Sequence, residues 1–385
     1  MSRRWLGRAS SESGRRPLRL LVVLPSWVGD AVMATPTLRV LRELLPSTFI
    51  GAMMKPGIEQ VLAGTSFFDE WHVESWAGFA GPPRVARAVA PKRYDTAMLL
   101  PGSLSSALTV LLAGIPRRIG YARDARGVLL TETIEPWRRR DVEPYRRSGT
   151  RPAAWAPIPA ADYYFALAEA LLGGCEIDAG PMGPLELVCT RDEELAAAEL
   201  LESAGIPRED QRRTPLAMLN PGGNNPAKRW PPERFAAVGD YLARHHSMRV
   251  LVSGSPAEAA LATRVAEQCA VADHPLGPPI VLPELGLTLG KLKGVVKRCR
   301  VIVTNDTGPR HIAAAFGVPV VSLFGPTDHR WTTIPFEDEA VIRAAPDLPD
   351  HEVANDHPER CRIERIGLGD VVAATNKLLG GAAAR

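Results

Sequence analysis

Along the chain, short unbroken apolar runs alternate with longer stretches in which apolar residues recur every three or four positions. Leu18–Pro25, Thr48–Met54, Glu70–Val73 and Thr96–Leu100 read as strands, with helices between them, one over Ser103–Ala113. The first run stops at the polar turn Ser26-Trp27-Val28-Gly29-Asp30, and Val32, Met33, Leu38, Leu41, Leu44 and Leu45 then follow at helical spacing. The same alternation returns after Pro215. Strands are expected at Leu216–Leu219, Arg249–Val252, Val301–Val303 and Pro319–Phe324, and helices at Asp192–Ala204, Pro232–His245, Pro256–Cys269 and Leu287–Arg298. A closing amphipathic helix, Ile366–Leu379, carries Ile366, Val371, Val372, Leu378 and Leu379 and needs a surface to cover them. Strands without polar alternation, separated by helices, form parallel sheets covered on both faces.

Two stretches interrupt the pattern. Glu135–Ala161 interleaves Arg138-Arg139-Arg140, Arg146-Arg147 and Arg151 with five prolines and two tryptophans, which predicts a long, mobile, basic loop. A helix over Asp162–Leu172 and the Gly- and Pro-rich Gly173–Pro184 then end the first domain. At 385 residues the chain exceeds the roughly 250–300 that one core sustains. The expected division is residues 17–185 and 186–360, each an α/β, Rossmann-like, doubly wound domain, with 361–385 as a final helix returning to the first domain.

A hydrophobic fraction of 45% with 23% charged residues is that of a globular protein in water, and no window holds the roughly 20 apolar residues of a membrane span. Leu20–Leu24 is too short for a signal-peptide core, so a cytoplasmic location is expected. Cys175, Cys189, Cys269, Cys299 and Cys361 form no close pair, which predicts buried thiols rather than a zinc site or a disulfide framework. Residues 1–180 hold 23 Lys and Arg against 17 Asp and Glu, a net +6, while the remainder nets −3. A basic first half suits an anionic partner, although a solvated face also explains it.

Candidate chemistry gathers at strand ends. Thr304-Asn305-Asp306-Thr307-Gly308 closes one strand and opens a short helix, and the residue types there cap helix N-termini and admit a phosphate to free N–H groups. The next strand ends in another polar turn, Gly325-Pro326-Thr327-Asp328, on the same rim. Asp30, directly after the first strand, suits a general base or, equally, a first-turn acid facing a helix dipole. Lys228, in a loop with Gly222 and Gly223, suits a pyrophosphate or simple solvent exposure. Neither a dinucleotide fingerprint nor a P-loop is present, so no cofactor is expected. His311 reads as a capping or packing residue, and the spacing of Asp350, His351, Asp356 and His357 fits no metal geometry, so no metal is assigned.

Several motifs resemble the heptosyltransferases of glycosyltransferase family nine, over nearly the whole chain from Leu18 to Leu379. They are Leu24-Pro25-Ser26-Trp27-Val28-Gly29-Asp30-Ala31-Val32-Met33, Pro226-Ala227-Lys228-Arg229-Trp230-Pro231, Asn305-Asp306-Thr307-Gly308-Pro309-Arg310-His311 with Gly325-Pro326, and Gly114-Ile115-Pro116-Arg117-Arg118-Ile119-Gly120 to Leu130-Thr131. The resemblance implies a GT-B fold, two Rossmann-like domains with a cleft between them. It also implies transfer of L-glycero-D-manno-heptose, with inversion, from ADP-heptose to the heptosyl–Kdo–lipid A inner core of lipopolysaccharide. Asp30 becomes the base; Lys228 contacts the donor phosphates; Asp306, Thr307 and Gly308 hold the sugar and diphosphate; Glu258 is the candidate nucleotide-contacting acid, in a segment, Gly254–Glu258, that is shifted here from the family's pattern. Arg138, Arg139 and Arg140 belong to the lobe that binds the acceptor, an anionic glycolipid, which calls for work at the inner membrane surface without spanning it. No nucleic acid is expected. An epimerase acting on sugar nucleotides, or a non-catalytic nucleotide-sugar sensor, would use the same cleft.

Overall fold

A computed structural model describes residues 16–147, 151, 153–173, 183–270 and 275–382. The chain divides into two compact units, one running to Leu185 and including Trp331–Thr333, the other formed by Glu186–Arg330 and the residues from Ile334 onward.

In the first unit β1 (Arg19–Val23), β2 (Phe49–Met54), β3 (Glu70–Val73), β4 (Thr96–Leu99), β5 (Arg117–Tyr121) and β6 (Glu132–Ile134) form one parallel sheet, ordered β3-β2-β1-β4-β5-β6. Helices α1 (Val28–Met33), α2 (Thr35–Leu44), α3 (Ile58–Leu62), α4 (Gly81–Val89), α5 (Leu104–Leu112) and α6 (Ala160–Leu171) connect or follow the strands. Central β1 buries Leu20 to Val23 completely, which explains its unbroken apolar run. The helical stretch after Asp30 is two helices rather than one. Pro36, without an N–H to donate, sits in the first turn of α2.

The second unit repeats the plan. Its strands β7 (Leu216–Asn220), β8 (Arg249–Val252), β9 (Ile280–Val281), β10 (Cys299–Asn305), β11 (Val320–Phe324) and β12 (Glu339–Arg343) are ordered β12-β11-β10-β7-β8-β9. Its helices are α7 (Arg191–Ser203), α8 (Pro232–His246), α9 (Ala259–Gln268), α10 (Leu289–Val296), α11 (Gly308–Ala315) and α12 (Leu368–Ala382). In each sheet the order reverses beside a central strand, between β1 and β4 and between β7 and β10. The carboxyl ends flanking such a reversal are where open α/β sheets bind ligands. Asp30 follows β1, Lys228 follows β7, and Asp306 follows β10.

Two expectations are corrected. The closing helix does not return to the first domain: Ile363, Ile366 and Val371 join the core of Trp230, Phe235 and Leu242, with Ala374, Leu378 and Leu379 packed against it. Trp230 Nε1 donates to Ile366 O at 3.1 Å, and Asn376 Nδ2 to Tyr241 Oη at 2.8 Å. An apolar stripe states that a helix needs a partner face, not which sheet supplies it. The basic segment is also not a structureless loop. Arg139–Asp141 and Tyr145–Arg147 form 3₁₀ turns, and Arg138 bridges Trp155 in antiparallel fashion. Residues 148–150 and 152 lie outside the described residues, as do the arginines of residues 1–15 and most of the Gly- and Pro-rich stretch, 174–182. Cys269, Cys299 and Cys361 are buried thiols and Cys189 is half-buried; Cys175 is not among the described residues.

Candidate active site

In the first unit Asp30 lies in the opening turn of α1, whose N-cap residue, Trp27, makes no side-chain capping bond. A second element holds the carboxylate. Tyr164, on α6, donates its hydroxyl to Asp30 Oδ1 at 3.1 Å. Both residues line a cavity of about 460 Å³ whose wall also carries Lys55, Arg123, Trp27 and Trp155. Lys55 lies 5.7 Å over the Trp76 ring and Arg123 5.3 Å over that of Trp155. A carboxylate, two cations and aromatic faces therefore share one cavity, a composition suited to a sugar bearing anionic groups.

The three arginines expected at the acceptor differ from one another. Arg138 stacks over Trp155 at 4.4 Å and donates to Ala153 O at 2.6 Å. Arg139 is buried and turned to Trp155 O at 3.3 Å. Arg140 is exposed, 3.7 Å from Asp141. Arg138 and Arg139 thus fasten the segment that carries Trp155.

In the second unit the ends of β7 and β10 are tied side by side. Asn220 Nδ2 donates to Thr304 Oγ1 at 3.1 Å and to Thr307 Oγ1 at 2.9 Å. Asn305 donates to Pro221 O at 2.9 Å and Gly222 O at 3.0 Å, and accepts from Trp230 N at 3.2 Å, clasping the loop that bears Lys228. Lys228 Nζ then meets Asp306 Oδ2 at 3.0 Å. On its other oxygen Asp306 takes a 3.4 Å contact from Arg310, whose Nε reaches Glu339 Oε1 on β12 at 2.5 Å. Burial disfavours the Asp306 charge, yet Lys228 and Arg310 outweigh it and hold the carboxyl below its ordinary range.

The turn after β10 does not cap its helix as expected. Thr307 is the N-cap of α11 but makes no side-chain capping bond, because its hydroxyl is held by Asn220 and donates to Asn305 O at 3.2 Å. Asn305 and Asp306 are likewise engaged elsewhere. The first turn of α11 from Gly308 onward thus lies beside Lys228 without a side-chain cap, as an anion would require.

Glu258 faces the glycine loop. It accepts from Gly223 N at 2.6 Å and from Ser255 N at 2.9 Å and Oγ at 2.8 Å. Burial raises its pKa, but those backbone donors outweigh it and keep the carboxyl below its ordinary range. A Cβ on Gly222 would stand 2.7 Å from the Glu258 carboxylate, so only glycine lets the loop approach this closely.

In the turn after β11 Asp328 is held by its neighbours, whereas Thr327 Oγ1 is buried with no hydrogen-bond partner among the described residues. Asp328 accepts Arg330 Nε at 2.7 Å and Ala354 N at 2.9 Å. Gly325 packs under the tail, where a Cβ would lie 2.6 Å from Cys361 O. His311 is wholly buried, and its Nδ1 meets no partner among the described residues. Burial, reinforced by Arg310, pushes its pKa down to about 3, so the ring is neutral. Tyr164 and Glu339 had no signature in the sequence, and Arg310, although inside the Asn305–His311 motif, was given no role by it. Tyr164 is one of several aromatic residues on a helix far along the chain, and the Arg310–Glu339 pair is formed only when β12 joins the sheet.

The sequence model of glycosyltransferase family 9 (heptosyltransferase) matches residues 83–146 and 159–361. The chain belongs to this family. It is 27% identical over 342 residues to lipopolysaccharide heptosyltransferase 2 of Escherichia coli K12, covering 85% of this chain and 88% of that one. It is 28% identical over 346 residues to lipooligosaccharide heptosyltransferase 2 of Haemophilus influenzae, covering 84% and 88%. Among solved structures, a glycosyl transferase family 9 protein from Veillonella parvula superposes with a TM-score of 0.76 at 24% identity, over 94% of this chain and 97% of that one. E. coli ADP-heptose lps heptosyltransferase II does so with 0.73 at 23%, over 95% and 99%. The fold of this family 9 glycosyltransferase is GT-B, with two Rossmann-like units.

Proposed function

We propose that this family 9 glycosyltransferase moves L-glycero-D-manno-heptose from ADP-heptose to a heptosyl–Kdo–lipid A acceptor, with inversion. The observation that carries the reading is the family match, which runs through both units and includes Lys228 and Asp306. Asp30 takes the proton of the acceptor hydroxyl, the freed oxygen attacks the anomeric carbon, and the bond from that carbon to the diphosphate breaks. ADP leaves with added negative charge. We assign stabilisation of that charge to Lys228 and the Gly308 N–H that opens α11, with Asp306 fixing the Lys228 ammonium. Glu258 acts through the glycine loop that it buttresses. The first-unit cavity seats the acceptor, with Arg123 and Lys55 toward its anionic groups.

The acyl chains of such an acceptor stay in a membrane, and no described helix is long and apolar enough to cross one. We place the enzyme on the cytoplasmic surface of the inner membrane. Supporting this, the outer face of α5 exposes Leu104, Leu111 and Leu112 at i, i+7 and i+8, and the N-terminal residues of the same helix line the Asp30 cavity. Radiolabelled ADP-heptose with purified heptosyl–Kdo–lipid A tests the function. Label in the lipid with release of ADP is expected. Altered free sugar, or binding without turnover, refutes the transferase reading.

A further inference from the structure

Reading Asp30 as the base leaves open what fixes its carboxylate. Helix α1, which carries Asp30, spans only six residues and has no side-chain cap at Trp27. We propose that Tyr164 is the positioning residue of the base, its hydroxyl donating to Asp30 Oδ1 to set the carboxylate's orientation and its readiness to accept a proton. The inference rests on Asp30 being the base.

Tyr164 is suited to this by its rigidity. The side chain is buried on α6. Its neighbour Tyr163 lies edge-on at 6.4 Å between centroids, and Tyr121 of β5 stacks on Tyr163 at 3.5 Å with an interplanar angle of 13°. Tyr121 Oη donates to Tyr163 O at 2.8 Å, which pins the backbone next to Tyr164 to the sheet. The sheet, through this ladder, thus sets the height of a single hydroxyl above α1. Burial first, and then the Asp30 carboxylate, push the Tyr164 hydroxyl well above its ordinary pKa, so it keeps the proton that it donates to the carboxylate.

A donor to a carboxylate favours the charged form and lowers its pKa. The other titratable side chains lining the cavity are Lys55, Arg123 and Tyr163. On the helices against α1, Arg42 pairs with Asp69 at 2.8 Å, Arg39 donates to Pro184 O and Glu59 accepts from Gly57 N, while α2 also carries Glu43 and α6 carries Asp162 and Glu169. Removing the Tyr164 hydroxyl therefore leaves Lys55 and Arg123 in place and removes one hydrogen bond to the carboxylate.

The test is the pH profile of kcat/KM for Tyr164→Phe, with Asp30→Asn assayed beside it. For Tyr164→Phe the acid limb moves up by about one pH unit, the equivalent of a tenfold change, and plateau kcat falls about tenfold with KM for ADP-heptose unchanged. Because the phenylalanine protein could fail to fold, 3-fluorotyrosine at position 164 is the second probe. It keeps the shape and strengthens the donor, so the limb moves down. A limb that stays at the wild-type position in the folded variants, with Asp30→Asn inactive, overturns the role of Tyr164 alone. Retained turnover in Asp30→Asn overturns the base, and this proposal with it.

Discussion

Lys228 Nζ and Asp306 Oδ2 lie 3.0 Å apart, joining the loop after β7 to the turn after β10 at the reversal of the second sheet. The lysine is fixed by its partner in front of α11. Lys228→Ala is expected to cost about 2–4 kcal/mol in transition-state binding, the scale of one preorganised electrostatic contact. The check is kcat/KM with calorimetric ADP binding; unchanged values in both would remove Lys228 from the donor site.

Glu258 answers the Gly223 N–H and two groups of Ser255. Glu258→Ala leaves those donors unmet, at a cost of about 1–3 kcal/mol. The KM for ADP-heptose is expected to rise more than kcat falls, since the loop loosens without loss of a reacting group. Steady-state kinetics decide it, and a fall in kcat alone would place Glu258 at the chemistry instead.

His311 gives a pH signature in stability. Its pKa is about 3 in the folded protein against 6.5 as the ordinary value, so between these limits the unfolded chain binds one more proton. Stability therefore falls as pH drops from about 6.5 toward 3, by up to about 1.4 kcal/mol per unit from this group. Asp306, with its pKa depressed, contributes stability that is lost only at the acid end, as pH falls through its folded value. Denaturant melts across pH should show a shallower slope in His311→Gln; an identical slope would mean the ring is protonated inside.

Much of this was legible in the sequence. The runs at Leu20–Val23 and Val301–Val303 had to be central strands because every position is apolar, and Asp30, Lys228 and Asp306 were visible because each follows such a run. What could not be read depends on pairing across the chain. Strand β5 begins Arg117-Arg118 and looks polar until Glu132 on β6 answers Arg117 at 2.6 Å. The edge strand β12 is half-polar for the same reason, since Glu339 faces Arg310. The destination of α12 and the contact from Tyr164 to Asp30 are likewise facts of packing, which periodicity does not encode.

The proposed membrane surface predicts separable contributions from the exposed α5 leucines and from the basic turns. Leu104→Ser with Leu112→Ser is expected to weaken binding to anionic vesicles at all salt concentrations. Arg140→Ser, Arg146→Ser and Arg147→Ser together should weaken it only at low salt, each charge being worth about 1 kcal/mol at most. Vesicle sedimentation at two salt concentrations separates the two. Equal binding by all variants would remove this face from the membrane.

The central claim is that Asp30 is the base of a heptosyl transfer. Asp30→Asn keeps the size of the side chain and removes its basicity. Single-turnover transfer from ADP-heptose should fall by roughly 10²–10⁴-fold while calorimetric donor affinity stays at the wild-type value. Transfer within threefold of wild type would contradict the account.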